Sequence, residues 1–261
     1  MTGGYMNIAL TGGATGIGAA VVEKLVALGH AVTAFDIREP DADVKWIRTD
    51  LSDPASIDAA LAQAAGPFDA LINNAGLPPR KGLEEPILKV NYFGVRAMLD
   101  GMVGRLSHGA AIVNVASRAG AHWRENLEEV KALMALSPGD LPAFIMERGI
   151  DPTRAYNLSK EAVIALTLAE TERMLARGLR MNSVSPAAVS TGILDDFAAA
   201  FGDRMARNVA RVGRPGLPAE VADVIVFLAS PESAWVKGQD LVIDGGMSAL
   251  ALTDALSLPK G

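Results

Sequence analysis

Cysteine, aromatic side chains and long apolar runs are the scarce features of this 261-residue sequence. It contains no cysteine, so disulfide bonds, thiolate catalysis and cysteine-ligated metals are excluded. No apolar stretch approaches the roughly 18 residues of a membrane-spanning helix. The N-terminus also lacks the basic region and apolar segment of a secretory signal. We therefore expect a cytoplasmic protein with no membrane association.

Positive charge is scarce too, since 24 lysine and arginine residues stand against 30 acidic residues, which gives a net charge of −6. Without a basic block the chain is not expected to bind nucleic acid. The three histidines, His30, His108 and His122, lack the spacing of metal ligands, and we predict no metal site. Half of the residues are hydrophobic, which is enough for a large core in one domain.

The segment from Met6 to Gly18 has the pattern of an apolar strand, a glycine-rich turn and the start of a helix over 17–28. Gly12, Gly16 and Gly18 lack a Cβ atom, which allows backbone amides of such a turn to approach a pyrophosphate. The amino terminus of the following helix favours the same anion, because its free N–H groups and its dipole carry partial positive charge. The pattern therefore predicts a phosphate cradle for a dinucleotide.

An acidic residue closes the second predicted strand, residues 31–36. Asp36 lies 18 positions after Gly18, close to the spacing at which an acid hydrogen-bonds the ribose hydroxyls of a dinucleotide. A carboxylate there repels the 2′-phosphate of NADP and so favours NAD. Arg38 is the counter-argument, since its guanidinium could bind that phosphate, but it has less weight than the fixed carboxylate. We predict NAD as the cofactor.

The rest of the sequence alternates between apolar strand patterns and amphipathic helix patterns. That alternation predicts a doubly wound parallel sheet of about seven strands, covered by helices on both faces. Further strands are predicted over 44–47, 69–72, 111–116, 181–184 and 240–243, and helices over 53–65, 85–106, 153–176 and 218–229. Ligands of such sheets bind at the carboxyl ends of the strands, where the candidate site residues stand.

Tyr156 and Lys160 are four positions apart in the helix predicted over 153–176, so their side chains share one face. We interpret Tyr156 as the general acid and base of a proton transfer. Its free pKa of about 10 is too high for a base at neutral pH. One ammonium group at about 4 Å supplies roughly 4 kcal/mol at an effective dielectric near 20, enough to lower that pKa by about three pH units. We therefore expect Lys160 to lower the pKa of Tyr156.

Two further polar residues complete the candidate catalytic set. Ser117 follows the strand predicted over 111–116 and would hold the substrate oxygen beside Tyr156. Asn91 lies in the middle of a predicted helix, where asparagine is unfavourable. It either caps a kink or holds a water molecule that passes protons to Lys160. The predicted catalytic residues are Asn91, Ser117, Tyr156 and Lys160.

A long spacer of residues 119–152 breaks the regular alternation between Ser117 and Tyr156. We predict two amphipathic helices in it, separated by a break at Pro138 and Gly139. Asp140 is the predicted N-cap of the second helix. The residues expected to be buried are Leu127, Val130 and Met134 in the first helix and Leu141, Phe144 and Ile145 in the second.

The spacer is also predicted to shape the substrate pocket. It begins and ends beside predicted catalytic residues, so its base should form a wall of that pocket with His122 and Trp123. A second excursion, residues 190–215, is predicted to be a helical flap. The predicted substrate-binding residues are Ser117, Tyr156, His122 and Trp123.

These motifs together resemble the short-chain dehydrogenases/reductases, from Asn7 to about Gly246. The resemblance rests on the following motifs: T-G-x-x-x-G-x-G at 11–18, N-N-A-G at 73–76, Y-x-x-x-K at 156–160 and D-G-G at 244–246. Asn91 and Ser117 match the other two positions of the family's catalytic tetrad. The resemblance implies an oxidoreductase with a single-domain, Rossmann-like α/β fold over residues 1–261.

The resemblance also implies which residues bind the cofactor. Asp50 and Leu51 are implied to lie against the adenine, and Val189 and Thr191 to hold the nicotinamide carboxamide. The family's usual Pro-Gly after the sixth strand is Pro186-Ala187 here, a departure that concerns the nicotinamide pocket. The complete predicted cofactor-binding set is Gly12, Thr15, Gly16, Ile17, Gly18, Asp36, Ile37, Asp50, Leu51, Asn74, Ala75, Gly76, Tyr156, Lys160, Pro186, Val189 and Thr191.

A narrower resemblance is to the branch that contains bacterial coniferyl-alcohol dehydrogenase and 3α-hydroxysteroid dehydrogenase/carbonyl reductase. It rests on Asp36-Ile37-Arg38, V-N-Y-F-G at 90–94, Ala121-His122-Trp123 and the long spacer. The branch implies NAD-dependent oxidation of a hydrophobic aromatic or alicyclic alcohol, coniferyl-alcohol-like, with a 3α-hydroxysteroid or carbonyl substrate as the alternative. A non-catalytic nucleotide-sensing regulator is the alternative of a different class. Relatives with such spacers imply an altered subunit contact, so we expect a homodimer rather than a tetramer.

Overall fold

Seven parallel strands form one sheet in the computed structural model, which describes residues 4–259 apart from the side chain at position 204. The strands are β1 (Asn7–Thr11), β2 (Ala31–Asp36), β3 (Lys45–Arg48), β4 (Phe68–Asn73), β5 (Leu106–Val115), β6 (Arg180–Pro186) and β7 (Asp240–Ile243). Their order across the sheet is β3-β2-β1-β4-β5-β6-β7. The predicted single-domain, doubly wound sheet is confirmed, while residues 1–3 and 260–261 of the predicted domain lie outside the described residues.

Helices cover both faces of the sheet. They are α1 (Gly16–Ala27), α2 (Pro54–Gln63), α3 (Glu84–Leu88), α4 (Val95–Met102), α5 (Leu127–Ala135), α6 (Leu141–Arg148), α7 (Pro152–Ala169), α8 (Thr171–Leu175), α9 (Leu194–Val212), α10 (Pro218–Ala229) and α11 (Met247–Ala255). The core that contains α1 and α10 includes Ile8, Leu10 and Ile72, whereas Ala9 and Leu71 enter the core with α2, α4 and α7. Adjacent strand residues thus enter different cores, as the two-residue period of a strand requires. No helix within residues 4–259 combines the length and the apolar character needed to cross a membrane.

The strand order reverses beside β1, and this reversal positions the site. β1 pairs with β2 on one side and with β4 on the other. In doubly wound sheets the loops at such a point open a crevice at the carboxyl ends of the strands. The glycine turn follows β1 and residues 74–76 follow β4, while Ser117 stands two residues after β5. The crevice therefore gathers segments that are far apart in the sequence.

Element boundaries agree closely with the predictions in most places. The strands over 31–36 and 240–243 are reproduced residue for residue. The helix predicted over 85–106 is wrong at its end, because β5 already begins at Leu106. The apolar pattern does not reveal the first half of β5, whose residues 106–109 are at least partly exposed. Helix α11 has no predicted counterpart, because its apolar residues are spread around the helix and only Met247 is buried.

The first helix of the spacer packs with a face that differs in part from the predicted one. α5 buries Val130 and Leu133, while Leu127 and Met134 are only partly buried. The predicted face is therefore correct for Val130 and only partly buried at Leu127 and Met134, and the prediction missed Leu133. Val130 and Leu133 are three positions apart and share the helix face that contacts α7.

The second helix of the spacer lies where it was expected. α6 buries Leu141 and Phe144 as predicted, and Ile145 is partly buried. Asp140 occupies the N-cap position, but its side chain caps no backbone N–H, which corrects the predicted capping bond. The reason is its backbone conformation: Asp140 ends a 3₁₀ turn with φ −88° and ψ −2°, whereas a capping residue needs an extended backbone.

Candidate active site

The glycine turn after β1 is held against the loop after β4. The Thr11 hydroxyl accepts hydrogen bonds from the backbone N–H groups of Asn74 at 3.1 Å and Ala75 at 3.2 Å. The Asn74 side chain donates to the Gly12 carbonyl oxygen at 2.8 Å. The structure thus brings the predicted residues Gly12, Asn74 and Ala75 together. Thr11 had no predicted role of its own, although it opens the T-G motif.

Close packing explains why this turn needs glycine. Gly12 has a φ of 74°, and a Cβ atom there would lie 2.6 Å from the Cα atom of Ala75. A Cβ atom on Gly18 would overlap the carbonyl oxygen of Gly12. Gly16 has a φ of 59°, and an added Cβ would lie 3.4 Å from the Cγ2 atom of Thr191. Thr191 at the start of the flap therefore closes over the turn.

The start of α1 has the properties that a pyrophosphate needs. No side chain caps the helix at Thr15, and no acidic residue occupies its first turn. The N–H groups at the helix start therefore stay available for an anion, which the helix dipole also favours. Ile17 lies partly buried in the same turn. The bare, glycine-lined cradle fits the phosphates of a dinucleotide.

Asp36 ends β2 beside the glycine turn. Its carboxylate accepts the backbone N–H of Ala14 at 2.9 Å and that of Arg38 at 3.0 Å. These two bonds fix the orientation of the carboxylate, while its remaining lone pairs can accept ribose hydroxyls. The position of Asp36 therefore fits the predicted preference for NAD.

The residues predicted to contact the adenine have different exposures. Ile37 is 55% exposed, whereas Leu51 is buried and lies against Gly94. The Asp50 carboxylate accepts hydrogen bonds from the backbone and the hydroxyl of Ser52. The contact of Ile37, Asp50 and Leu51 with an adenine stays a prediction.

Asn91 lies in a π-helical turn, Lys89–Gly94, between α3 and α4. Its amide oxygen accepts the Leu77 N–H at 2.7 Å, and its amide nitrogen donates to the Leu77 carbonyl at 3.1 Å and to the Ser159 hydroxyl at 3.2 Å. The buried side chain thus links the loop after β4 to α7. This favours the predicted kink over a water molecule held by the side chain, and π-helical turns are frequent at functional sites.

Three predicted catalytic side chains converge at the carboxyl end of β5. The Lys160 ammonium donates to the carbonyl oxygen of Val115 at 2.8 Å, and its nitrogen lies 5.8 Å from the centre of the Tyr156 ring. The Ser117 hydroxyl lies close enough to the Tyr156 phenol to lower its pKa, and it approaches the Pro186 carbonyl at 3.5 Å. Ser117 and Tyr156 can therefore act on a common substrate oxygen, with Lys160 behind the phenol.

Gly76 connects Asn91 to this cluster. A Cβ atom on Gly76 would lie 3.3 Å from the amide oxygen of Asn91 and 3.5 Å from the Lys160 ammonium. A side chain at this position would therefore crowd the Asn91 amide and contact the Lys160 ammonium.

Burial dominates the acid–base properties of Tyr156 and Lys160. It raises the pKa of Tyr156 to about 12, although the neighbouring Ser117 hydroxyl opposes this rise. It lowers the pKa of Lys160 to about 8. The prediction that Lys160 lowers the pKa of Tyr156 is therefore wrong for the chain alone. The ammonium bonds to the Val115 carbonyl, and its own burial disfavours its charge.

The end of β6 and the loop after it contain Pro186, Val189 and Thr191, whose contact with a nicotinamide stays a prediction. Val189 is buried and pairs with Gly216 through a short backbone bridge. Ala187, which replaces the family's glycine, donates its N–H to the Ile243 carbonyl at 3.1 Å. Within residues 4–259 the only non-glycine residue with a positive φ is Ser257, so Ala187 adopts a conformation open to any residue.

His122 and Trp123 lie in the turn that opens the spacer. The His122 side chain is 64% exposed, and its Nδ1 atom lies 2.5 Å from the Glu125 carboxylate. Trp123 is partly buried against the core that contains α7, with the Arg124 guanidinium 4.3 Å from the centre of its ring. Substrate contact by either residue stays a prediction. Trp123 is the one of the two that packs towards the interior.

Two phenylalanines of the flap stand beside Tyr156 without having been predicted. The ring of Phe197 meets the Tyr156 ring edge-on, with centres 5.2 Å apart and planes at 66°. Phe201 stacks on Phe197, with centres 6.3 Å apart and planes within 10°. Two aromatic residues four positions apart in the predicted flap were the available signal, since the sequence has only seven phenylalanines.

Comparison with known families agrees with this geometry. Residues 6–128 match the family described as short chain dehydrogenase, and residues 141–248 match the one described as enoyl-(acyl carrier protein) reductase. The chain belongs to the short-chain dehydrogenase/reductase family. The predicted family and the predicted enzyme class, an oxidoreductase, are confirmed.

Individual relatives narrow the placement within the family. Coniferyl-alcohol dehydrogenase of a Pseudomonas species is 32% identical over 251 residues, 93% of this chain and 96% of that protein. The 3-alpha-hydroxysteroid dehydrogenase/carbonyl reductase of Comamonas testosteroni is 33% identical over 254 residues, with the same coverage. The 3-alpha-hydroxysteroid dehydrogenase of Pseudomonas sp. B-0831, solved with NADH, has a TM-score of 0.84 at 36% identity and covers 94% of this chain and 98% of its own. The predictions of a dehydrogenase acting on alcohols and of NAD as its cofactor agree with these relatives.

Proposed function

We propose that this protein is an NAD-dependent dehydrogenase of hydrophobic aromatic or alicyclic alcohols, of coniferyl-alcohol type. The observation that carries the proposal is the convergence of Ser117, Tyr156 and Lys160 beside the glycine cradle, with Phe197 as an apolar neighbour. The coniferyl-alcohol dehydrogenase that shares 32% of its residues supports an aromatic substrate. The hydroxysteroid dehydrogenases at 33% and 36% identity support a 3α-hydroxysteroid or a carbonyl compound as the second candidate.

Tyr156 moves the proton in the proposed reaction. When bound, a nicotinamide dinucleotide exchanges a hydride with the carbinol carbon and, in its oxidised form, adds positive charge near the phenol. In oxidation Tyr156 first passes its own proton to a neutral Lys160 and, as the phenolate, takes the proton of the substrate hydroxyl; in reduction the neutral phenol gives its proton to the carbonyl oxygen. In this proposal the Ser117 hydroxyl donates a hydrogen bond to the same oxygen and keeps it beside the phenol.

Lys160 carries the proton onwards in this proposal. Its pKa of about 8 allows it to take up or release a proton near neutral pH. The Tyr156 pKa of about 12 keeps the phenol protonated in the chain alone, which is the form that reduction requires. In this proposal Tyr156 transfers the proton to or from the substrate, and Lys160 exchanges protons with Tyr156.

Spectrophotometric assay of a panel of alcohols with NAD tests the proposal. We expect absorbance of reduced nicotinamide to grow with aromatic or alicyclic alcohols and to stay near baseline with short linear ones. Comparing coniferyl alcohol with a 3α-hydroxysteroid separates the two substrate candidates. If NAD binds but no alcohol or carbonyl compound reacts, the nucleotide-sensing regulator becomes the better account.

A homodimer is the proposed assembly, with the cytoplasm as its location. The spacer covers the catalytic helix: Arg154 of α7 bonds Glu129 of α5 at 2.9 Å, and Asn126 bonds Glu161 at 2.8 Å. Arg96 of α4 also reaches the Met134 carbonyl at 3.0 Å. Because the spacer occupies this surface, we propose that it changes how subunits pair and favours a dimer. Light scattering that shows a tetramer would contradict the proposed dimer.

A further inference from the structure

The flap helix α9 consists of two halves that meet at Gly202. This residue has a φ of 49° and a ψ of −138°, which no right-handed helix contains. A Cβ atom on Gly202 would meet nothing within 4 Å, so backbone conformation and not space requires glycine here. We call residues 194–201 the pocket half and residues 203–212 the anchor half. Gly202 has the properties of a hinge between them.

An ion pair fixes the pocket half to the other side of the crevice. Arg80, in the loop after β4, donates from its Nε and Nη2 atoms to the two carboxylate oxygens of Asp196, both at 2.7 Å. Such a bidentate fork combines two charge-assisted hydrogen bonds with a fixed orientation. The two residues are 116 positions apart, so the fork joins the flap to the loop that contains residues 74–76.

The fork stands directly beside the aromatic contact with Tyr156. Asp196 precedes Phe197, whose ring edge meets the Tyr156 ring at 5.2 Å. Phe201 lies one helical turn further on and stacks on Phe197 within 10° of parallel. Because Asp196 and both phenylalanines belong to the pocket half, a displacement of Asp196 moves both rings away from Tyr156.

The anchor half is fixed by different contacts. Arg211 pairs with Asp254 of α11 at 2.8 Å, and α11 packs against α9. The two halves therefore have separate attachments on either side of Gly202. Loss of the fork at Asp196 leaves the pocket half held by the packing of Phe197 and Phe201, while the anchor half keeps its ion pair.

We propose that Arg80 and Asp196 are positioning residues that hold Phe197 and Phe201 as an aromatic wall against Tyr156. This wall makes the site select alcohols with a planar or alicyclic ring over linear alcohols. The selectivity rests on the proposed function, whereas the attachment of the pocket half does not. The two stacked rings present a flat apolar face. A ring-containing substrate has a larger contact area with this face than a flexible linear substrate has.

Steady-state kinetics on charge-reversed variants tests the selectivity. In Arg80→Glu and in Asp196→Arg we expect the KM for ring-containing alcohols to rise about fivefold, the upper end for an exposed ion pair. The kcat and the KM for linear alcohols of equal carbon number should change little, because the fork touches no reacting atom. The double variant, in which the charges are exchanged, should recover the low KM.

Asp100→Arg is the matched control. Asp100 forms another exposed Arg–Asp pair, with Arg173 at 2.9 Å, but it joins α4 to α8, which contribute none of the predicted site residues. We expect this variant to keep the wild-type KM for every alcohol. A rise equal to that in Asp196→Arg would show a general effect of lost ion pairs and overturn the proposal.

Hydrogen exchange of the wild type and the variants tests the attachment without any substrate. We expect faster exchange over 194–201 in both single variants, unchanged exchange over 203–212, and recovery in the double variant. Unchanged exchange over 194–201, or equal loosening of both halves, would overturn the proposed positioning role. If the wild type oxidises no alcohol, the proposed function fails, and the exchange data still decide whether Arg80 and Asp196 hold the pocket half.

Discussion

The Lys160 ammonium donates a hydrogen bond of 2.8 Å to the carbonyl oxygen of Val115, the last residue of β5. This bond joins the catalytic helix α7 to the strand that leads to Ser117. Lys160 is buried at this junction, and burial lowers the pKa of its ammonium to about 8. The chain thus holds a cation in its interior at the expense of stability at neutral pH.

The pH dependence of stability should reveal this buried lysine. Lys160 binds its proton up to about pH 8 in the folded chain and up to its ordinary value of 10.5 in the unfolded chain. Between these values the unfolded state binds more protons, so the free energy of unfolding rises with pH. Tyr156 acts in the opposite direction only above its ordinary value of 10, because its pKa is raised to about 12 in the fold. From about pH 8 to 9.5 we expect the wild type to gain roughly 1–2 kcal/mol relative to Lys160→Met.

Urea denaturation of both proteins at the two pH values measures this gain. Other titrating groups contribute equally to wild type and variant, so the difference isolates Lys160. An identical pH dependence of the two unfolding free energies would mean that Lys160 is not a buried cation.

Replacement of Asp36 should weaken the preference for NAD. Its fixed carboxylate would repel a 2′-phosphate, and two backbone N–H bonds orient it. In Asp36→Asn, which keeps the shape and removes the charge, we expect the ratio of kcat/KM for NAD over NADP to fall at least tenfold, about 1.4 kcal/mol. A wild type that uses NADP as well as NAD would contradict the cofactor assignment, whatever the variant does.

Loss of Arg154 should destabilise the junction between the spacer and the catalytic helix. Arg154 donates to both carboxylate oxygens of Glu161, at 3.0 Å and 2.6 Å, and Glu161 is 1% exposed. Arg154→Met leaves this buried carboxylate without its cation, which costs about 3–5 kcal/mol in comparable buried pairs. Thermal or chemical denaturation measures the loss, and Arg154→Met with Glu161→Met should recover part of it. A single variant as stable as the wild type would show that Glu161 does not depend on Arg154.

Trp123 tests the predicted role of the spacer in the substrate pocket. Its ring is partly buried, with the Arg124 guanidinium 4.3 Å from the ring centre. We expect Trp123→Ala to raise the KM for hydrophobic alcohols several-fold, because the apolar wall loses area. His122→Ala tests the other predicted residue of the spacer, and we expect a smaller rise because that side chain is 64% exposed. Unchanged KM values for all hydrophobic alcohols in Trp123→Ala would contradict the prediction that the spacer forms a wall of the substrate pocket.

The sheet and the cradle could be predicted because their signals are local. The apolar run before Gly12, the glycine spacing and the acid at Asp36 each occupy a few consecutive residues, and each is imposed by backbone geometry. The alternation of strands and helices is then almost sufficient to predict a parallel sheet. The same locality explains the small errors: β5 begins with residues 106–109, which are partly exposed and therefore carry no apolar pattern.

The contacts that complete the site could not be predicted, because they join residues that are distant in the sequence. Arg80 and Asp196 are 116 positions apart, and neither position has a distinctive local pattern. The pKa of Tyr156 was predicted in the wrong direction for a related reason. The Tyr156–Lys160 spacing shows that the two side chains share a face, but not how deeply both are buried or that Lys160 bonds to Val115.

Tyr156→Phe tests the central claim most directly. The substitution keeps the ring that packs against Phe197 and removes only the hydroxyl that exchanges the proton. The measurement is the initial rate of nicotinamide reduction with the best alcohol of the panel, beside a titration of NAD binding. We predict that NAD still binds while the rate falls by about 10² to 10⁴, the usual contribution of a general acid–base group. A variant that keeps more than a tenth of the wild-type rate would contradict the assignment of Tyr156 as the proton-transferring residue.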